Sequence, residues 1–221
     1  MTDRIRRLRR PVPAALTASA VSLGLLGAWL WDDPGSSLIW MAWNLFLAAI
    51  PVGLAWVILR GARGRAPAAV LAVAGVAWLL FLPNAPYMVT DLIHLDDGYG
   101  GSGTLLLAVL VSFAVTGLLL FVVAVSAVQE AVRLRLGGRS VRLVLPLCVW
   151  LSAVGIYLGR VLRWNSWDVL GDPAGMVTEL AGHLSEPRSL AIAVGFTLVV
   201  GVGLHLAYAA VRRAGAASTG A

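Results

Sequence analysis

Residues 104–128 read TLLLAVLVSFAVTGLLLFVVAVSAV, 25 consecutive residues without a charge. A helix rises ~1.5 Å per residue, so about 20 apolar residues cross a hydrocarbon layer ~30 Å thick. This run is long enough to span a membrane on its own. Five further apolar stretches lie around it, at residues 14–31, 38–59, 67–82, 143–158 and 190–211. The chain is 59% hydrophobic and only 13% charged, against about 25% charged in an ordinary soluble domain. The predicted fold is therefore all-α: one polytopic transmembrane bundle of about six spans over residues 1–221. The stretches at 67–82 and 143–158 are short for a span unless each helix runs on into the polar segment that follows it.

The loops orient the chain. All 17 basic residues are arginine. Fourteen of them fall in the N-terminal segment, the second and fourth loops and the C-terminal tail. With six spans these segments share one side, and the positive-inside rule makes that side, with both termini, cytoplasmic. Nine of the 11 acidic residues fall on the other side. Trp29, Trp31, Trp40, Trp43, Trp78, Trp164 and Trp167 sit near the predicted outer boundary, where an apolar ring with one polar N–H is favoured. The first stretch ends in Trp29-Leu30-Trp31, a poor site for leader cleavage, so it is expected to remain as a span. The basic balance of +6 is explained by topology; the bilayer is the expected partner and nucleic acid is not. The single cysteine, Cys148, permits no intrachain disulfide and is expected to be a packing residue.

Chemistry-bearing residues collect in two outer segments. The first, residues 83–97, reads PNAPYMVTDLIHLDD. Its prolines interrupt the third apolar stretch, and Asn84 is placed to cap a new helical turn. Helical spacing puts Tyr87, Asp91 and His94 on one face and Met88, Leu92 and Leu95 on the other. The second segment, residues 159–168, reads GRVLRWNSWD. If the fifth helix continues through it, Arg160, Trp164, Trp167 and Asp168 share a face. Arg160 and Arg163 run against the charge asymmetry, so local carboxylates are expected to hold them: Asp91, Asp96, Asp97 or Asp168.

These two runs resemble a family of bacterial integral membrane proteins catalogued only as a domain of unknown function. The resemblance covers most of the chain. It implies a small multi-span bacterial membrane protein and brings no activity, substrate or catalytic residue with it.

Two sharper readings stand beside the structural one. Asp91 and His94, one turn apart, are candidate acid–base residues or metal ligands, with Asp96, Asp97, Asp168 or His183 as a third ligand. Asn84, Tyr87, Arg160, Arg163, Trp164, Asn165, Trp167 and Asp168 are candidate substrate-binding residues, because guanidinium forks suit phosphate or carboxylate oxygens. Against both stands a simple ion-pair network with tryptophan anchors at the interface. Residues 171–184 are expected to form a surface helix capped by Asp172, with Pro173 at its first position. Asn44 is a candidate for hydrogen bonding between spans, and His205 is expected to face protein or water. No P-loop, nucleophile elbow or CxxC occurs, and the cofactor is left unknown. The function classes left open are a membrane-embedded enzyme acting on a lipid-linked or anionic substrate, a binding or transport protein for a small amphiphile, and an assembly factor.

Overall fold

A computed structural model describes residues 11–96 and 102–217. In chain order it contains α1 (Pro11–Asp32), a 3₁₀ turn (Ser37–Ile39), α2 (Trp40–Arg63), α3 (Ala68–Phe81), α4 (Asn84–Tyr87) and a 3₁₀ segment (Met88–Asp96). There follow α5 (Gly103–Leu136), α6 (Gly138–Val161), α7 (Asp168–Gly171), α8 (Pro173–Ser185) and α9 (Pro187–Ala217). Six helical segments are long and apolar enough to cross a membrane: Pro11–Asp32, Ser37–Arg63, Ala68–Leu95, Gly103–Leu136, Gly138–Val161 and Pro187–Ala214. The chain is an all-α, multi-pass membrane protein. The third span does run on into its polar segment, through α4 and the 3₁₀ helix. The fifth gains most of its extra length at its other end, from Gly138.

The helix built on residues 104–128 is the centre of the bundle. α5 packs against α1, α2, α4, the 3₁₀ segment, α6 and α9. Its apolar residues surround it, and it buries most of its circumference, with Phe113 and Phe121 fully enclosed and a stripe of Leu107, Val111 and Val115 left exposed. Ser22 and Thr116 satisfy each other at 3.0 Å where α1 crosses α5. The outer helices keep a lipid-side face instead, as Val70, Val73 and Val76 do on α3 and Leu198, Val199 and Val202 on α9. Cys148 is buried, as a packing residue should be.

Several expectations need correction. Trp29 and Trp78 turn inward and are buried; the Trp29 indole donates to Ser36 Oγ at 2.8 Å. Trp31, Trp43 and Trp167 are exposed as boundary residues are. His205 is exposed on α9 rather than turned into the bundle, because the neighbouring Leu204 and Tyr208 take the inward face. It borders a cleft of about 150 Å³ beside Trp150 and Gly201.

Candidate functional site

The two polar segments meet, and the contact begins with backbone chemistry. α3 ends at Phe81, where Pro83 supplies no N–H to continue the helix. Asn84 does not cap the new turn with its side chain. It is the first residue of α4, and its Nδ2 donates to Phe81 O and Ser166 Oγ, both at 3.0 Å. One of those bonds spans the two segments directly.

Beyond Tyr87 the chain tightens into nine residues of 3₁₀ helix, a length that form seldom reaches. Thr90 Oγ1 takes the Tyr87 carbonyl at 2.6 Å, the acceptor that an α-helical Asp91 N–H would use. The apolar stripe expected from α-helical spacing is therefore broken, while Tyr87, Asp91 and His94 still come together around Arg160. With three residues per turn, Met88, Asp91 and His94 eclipse one another. Met88 is fully buried and Asp91 is 1% exposed; His94 is half-buried. Leu95, expected on the apolar stripe, is exposed.

Glycines make the close approach possible. A Cβ on Gly117 of α5 would lie 2.2 Å from Ala85 O, and one on Gly155 of α6 would lie 2.4 Å from Pro83 Cγ. The PNAPY turn thus rests on bare backbone of both helices.

Arg160 closes the arrangement. Its Nη1 donates to Tyr87 OH at 3.2 Å and to Asp91 Oδ1 at 3.4 Å. Its Nη2 reaches Thr90 O at 3.1 Å and His94 Nε2 at 3.2 Å. A guanidinium can only donate, so His94 Nε2 accepts and the ring proton sits on Nδ1. The guanidinium carbon also lies 5.6 Å from the Tyr87 ring centroid. On the far side of Asp91, Asn44 of α2 donates to Oδ2 at 3.2 Å. Trp40, also from α2, stacks edge-on to His94 with ring centroids 5.3 Å apart. Asn44 was legible as an interhelical donor, but nothing in its neighbourhood pointed to Asp91. Trp40 carried no signal beyond that of a boundary tryptophan.

The rest of the second segment does not share one face. α6 stops at Val161, and Arg163 takes a left-handed backbone with φ +61°. That conformation costs a non-glycine residue roughly 1–2 kcal/mol. The Trp164 N–H then turns back to Leu158 O at 3.2 Å. Asp168 does not reach Arg160; its Oδ2 accepts from Asn165 N at 2.6 Å and Asn165 Nδ2 at 3.1 Å. Trp164 Nε1 donates to Glu179 of α8 at 3.0 Å, and His183 of α8 meets Tyr157 OH at 2.8 Å. α8 is capped by Asp172, which accepts from Gly175 N at 2.8 Å. Arg163 is exposed, and no hydrogen bond or ion pair joins it to any described residue.

For the metal reading, the geometry puts the Arg160 guanidinium between Asp91 and His94. Asp168 and His183 are engaged elsewhere. Asp97 and the side chain of Asp96 lie outside the described residues. Among the described residues no three His, Cys, Asp or Glu side chains come together.

A cavity of about 880 Å³ lies between α3 and α6. At one end it is lined by Asn84, Tyr87, His94, Arg160, Arg163 and Asn165, with Trp164 and Trp167 beside them. At the other end it is lined by Leu47, Val76, Leu79, Leu80, Leu151 and Val154. Val76, Leu151 and Val154 remain partly exposed, so this end opens sideways, toward acyl chains in a membrane. Asp91 is not part of the lining; it reaches the cavity only through Arg160.

Residues 43–202 match the family described as "Protein of unknown function (DUF1361)", and the chain belongs to that family. The match takes in both polar segments and every residue lining the cavity. No curated protein and no solved structure matches the chain.

Proposed function

We propose that this member of the family binds a membrane amphiphile in the cavity between α3 and α6, at the outer face of the cell membrane. One observation carries the reading: the cavity is polar at the end built by the two segments and apolar along the spans, with the apolar end open sideways. A ligand with a headgroup and an acyl or prenyl tail meets both ends at once, and can enter from the bilayer without crossing water. The loop charges support an outward position for the polar end. In this reading Arg160, held from behind by Asp91, forms the wall, and His94, Arg163 and Asn165 face the headgroup. An enzymatic use of the same cavity would fall to His94, the titratable group of the 3₁₀ segment that lines it.

Filling the apolar end tests this. Leu79→Trp adds an indole where the tail would lie. In native mass spectrometry of protein released from detergent, the wild type is expected to retain about one lipid mass per chain. The Leu79→Trp protein is expected to lose most of it, with its melting temperature held within a few degrees of the parent. Equal lipid retention by both proteins would contradict the reading.

A further inference from the structure

We infer that the headgroup recognised in this cavity is a hydroxyl-bearing monoanion, of the type formed by a phosphodiester joined to a polyol. The inference rests on the amphiphile reading and adds the chemistry at its polar end.

The charge comes from counting what the lining already uses. Among the described residues lining the cavity there is no carboxylate. Arg160 is paired with Asp91, and its terminal nitrogens are spent on Tyr87, Thr90, Asp91 and His94. Arg163 is different: it lines the same cavity, it is exposed, and it has no partner among the described residues. It also sits in a left-handed position, φ +61°, that usually falls to glycine at a helix end. Among the described residues the cavity therefore offers one uncompensated guanidinium, suited to one anionic group with two oxygens in reach.

The hydroxyl follows from the amides. Asn84 Nδ2 donates to Phe81 O, a group that can only accept, so the nitrogen and oxygen of this amide are assigned without ambiguity. Its second N–H goes to Ser166. Asn84 has only its Oδ1 left to offer, an acceptor. Asn165 is fixed likewise by the Asp168 carboxylate and keeps its Oδ1 and one N–H. A hydroxyl both donates and accepts, and complements this mixture. A quaternary ammonium has no N–H to give these oxygens and would sit beside Arg163.

Three lipids with identical acyl chains separate the parts of the inference. Phosphatidylglycerol carries the phosphodiester charge and hydroxyls, phosphatidylmethanol the charge alone, and phosphatidylcholine neither net charge nor hydroxyl. Delipidated protein is titrated with each and read by native mass spectrometry. Phosphatidylglycerol is expected to bind roughly tenfold more tightly than phosphatidylmethanol, and that in turn roughly tenfold more tightly than phosphatidylcholine. Arg163→Gly suits the left-handed backbone, so it is expected to fold at least as well as the parent. It should bring phosphatidylmethanol close to the phosphatidylcholine level and leave phosphatidylglycerol above both only by the roughly tenfold step of its hydroxyls. Equal binding of phosphatidylglycerol and phosphatidylmethanol would overturn the hydroxyl. An unchanged lipid ranking in the Arg163→Gly protein would overturn the anion site. If none of the three lipids responds to Leu79→Trp, the cavity reading beneath the inference falls instead.

Discussion

Gly117→Ala is expected to lower stability by about 3 kcal/mol, the upper part of the range for overpacking. The added methyl would stand 2.2 Å from Ala85 O and 3.2 Å from Met88 Cβ. The first of these is backbone, fixed inside the short turn between two prolines, and it has no rotamer to move into. α5 is also held by its packing against α1, α2, α6 and the 3₁₀ segment. The turn must therefore lift, and with it the 3₁₀ segment that carries Asp91 and His94. Gly24→Ala is the control: a Cβ there meets nothing within 4 Å. Replacing a helix-interior glycine of that kind is neutral or stabilising by up to ~1 kcal/mol. Thermal unfolding in detergent should separate the two variants clearly, and equal stability would mean that the turn does not seat on α5 as described.

Asp91→Ala should be comparably severe. It removes the carboxylate that faces Arg160 across 3.4 Å, in a pair whose side chains are 1% and 19% exposed. Removing one partner of a buried ion pair costs roughly 3–5 kcal/mol, because the other charge is left without compensation. Arg160 keeps Tyr87, Thr90 and His94 as acceptors, which places the expected loss near 3 kcal/mol, at the lower end of that range. Asn44 loses its acceptor as well. Asp91→Asn keeps a side-chain oxygen for hydrogen bonding without the charge and should recover part of the loss. The double variant Asp91→Leu with Arg160→Met replaces the pair by apolar groups of similar bulk. It should be more stable than Asp91→Ala alone. A double-mutant cycle on Asp91 and Arg160 should give an interaction of about 1–3 kcal/mol. Additive single effects would show that the two polar segments do not meet through this pair.

The span count was legible because each membrane helix has to satisfy its own backbone and present apolar side chains, and both demands are written locally. The charge argument also reached correctly from Arg160 to Asp91, since a cation stranded on the acidic side needs a partner. Arg163 carried the same signal and has no such partner among the described residues, because the helix ends between the two arginines and turns Arg163 into the cavity. No glycine or proline marks that stop; the left-handed residue is itself the arginine. The 3₁₀ geometry was hidden for a similar reason. Thr90 diverts one carbonyl, and the change of period brings Met88 into row with Asp91 and His94 and leaves Leu95 exposed, while Tyr87, Asp91 and His94 still meet at Arg160. The seating glycines, Gly117 and Gly155, look like any small residue in a span. Their role appears only when the turn they receive is in place.

Photocrosslinking tests the amphiphile-binding cavity most directly. A benzophenone amino acid is placed at Val154, which lines the apolar end, and in a second protein at Val199, which is exposed on α9 away from it. Both proteins are made in native membranes, extracted, washed through repeated detergent exchange and then irradiated. If the cavity holds an amphiphile, the Val154 protein keeps a discrete lipid adduct after washing, the Val199 protein loses its labelling, and Leu79→Trp removes the Val154 adduct. Labelling at Val154 that washes away as readily as at Val199 would contradict a bound amphiphile between α3 and α6.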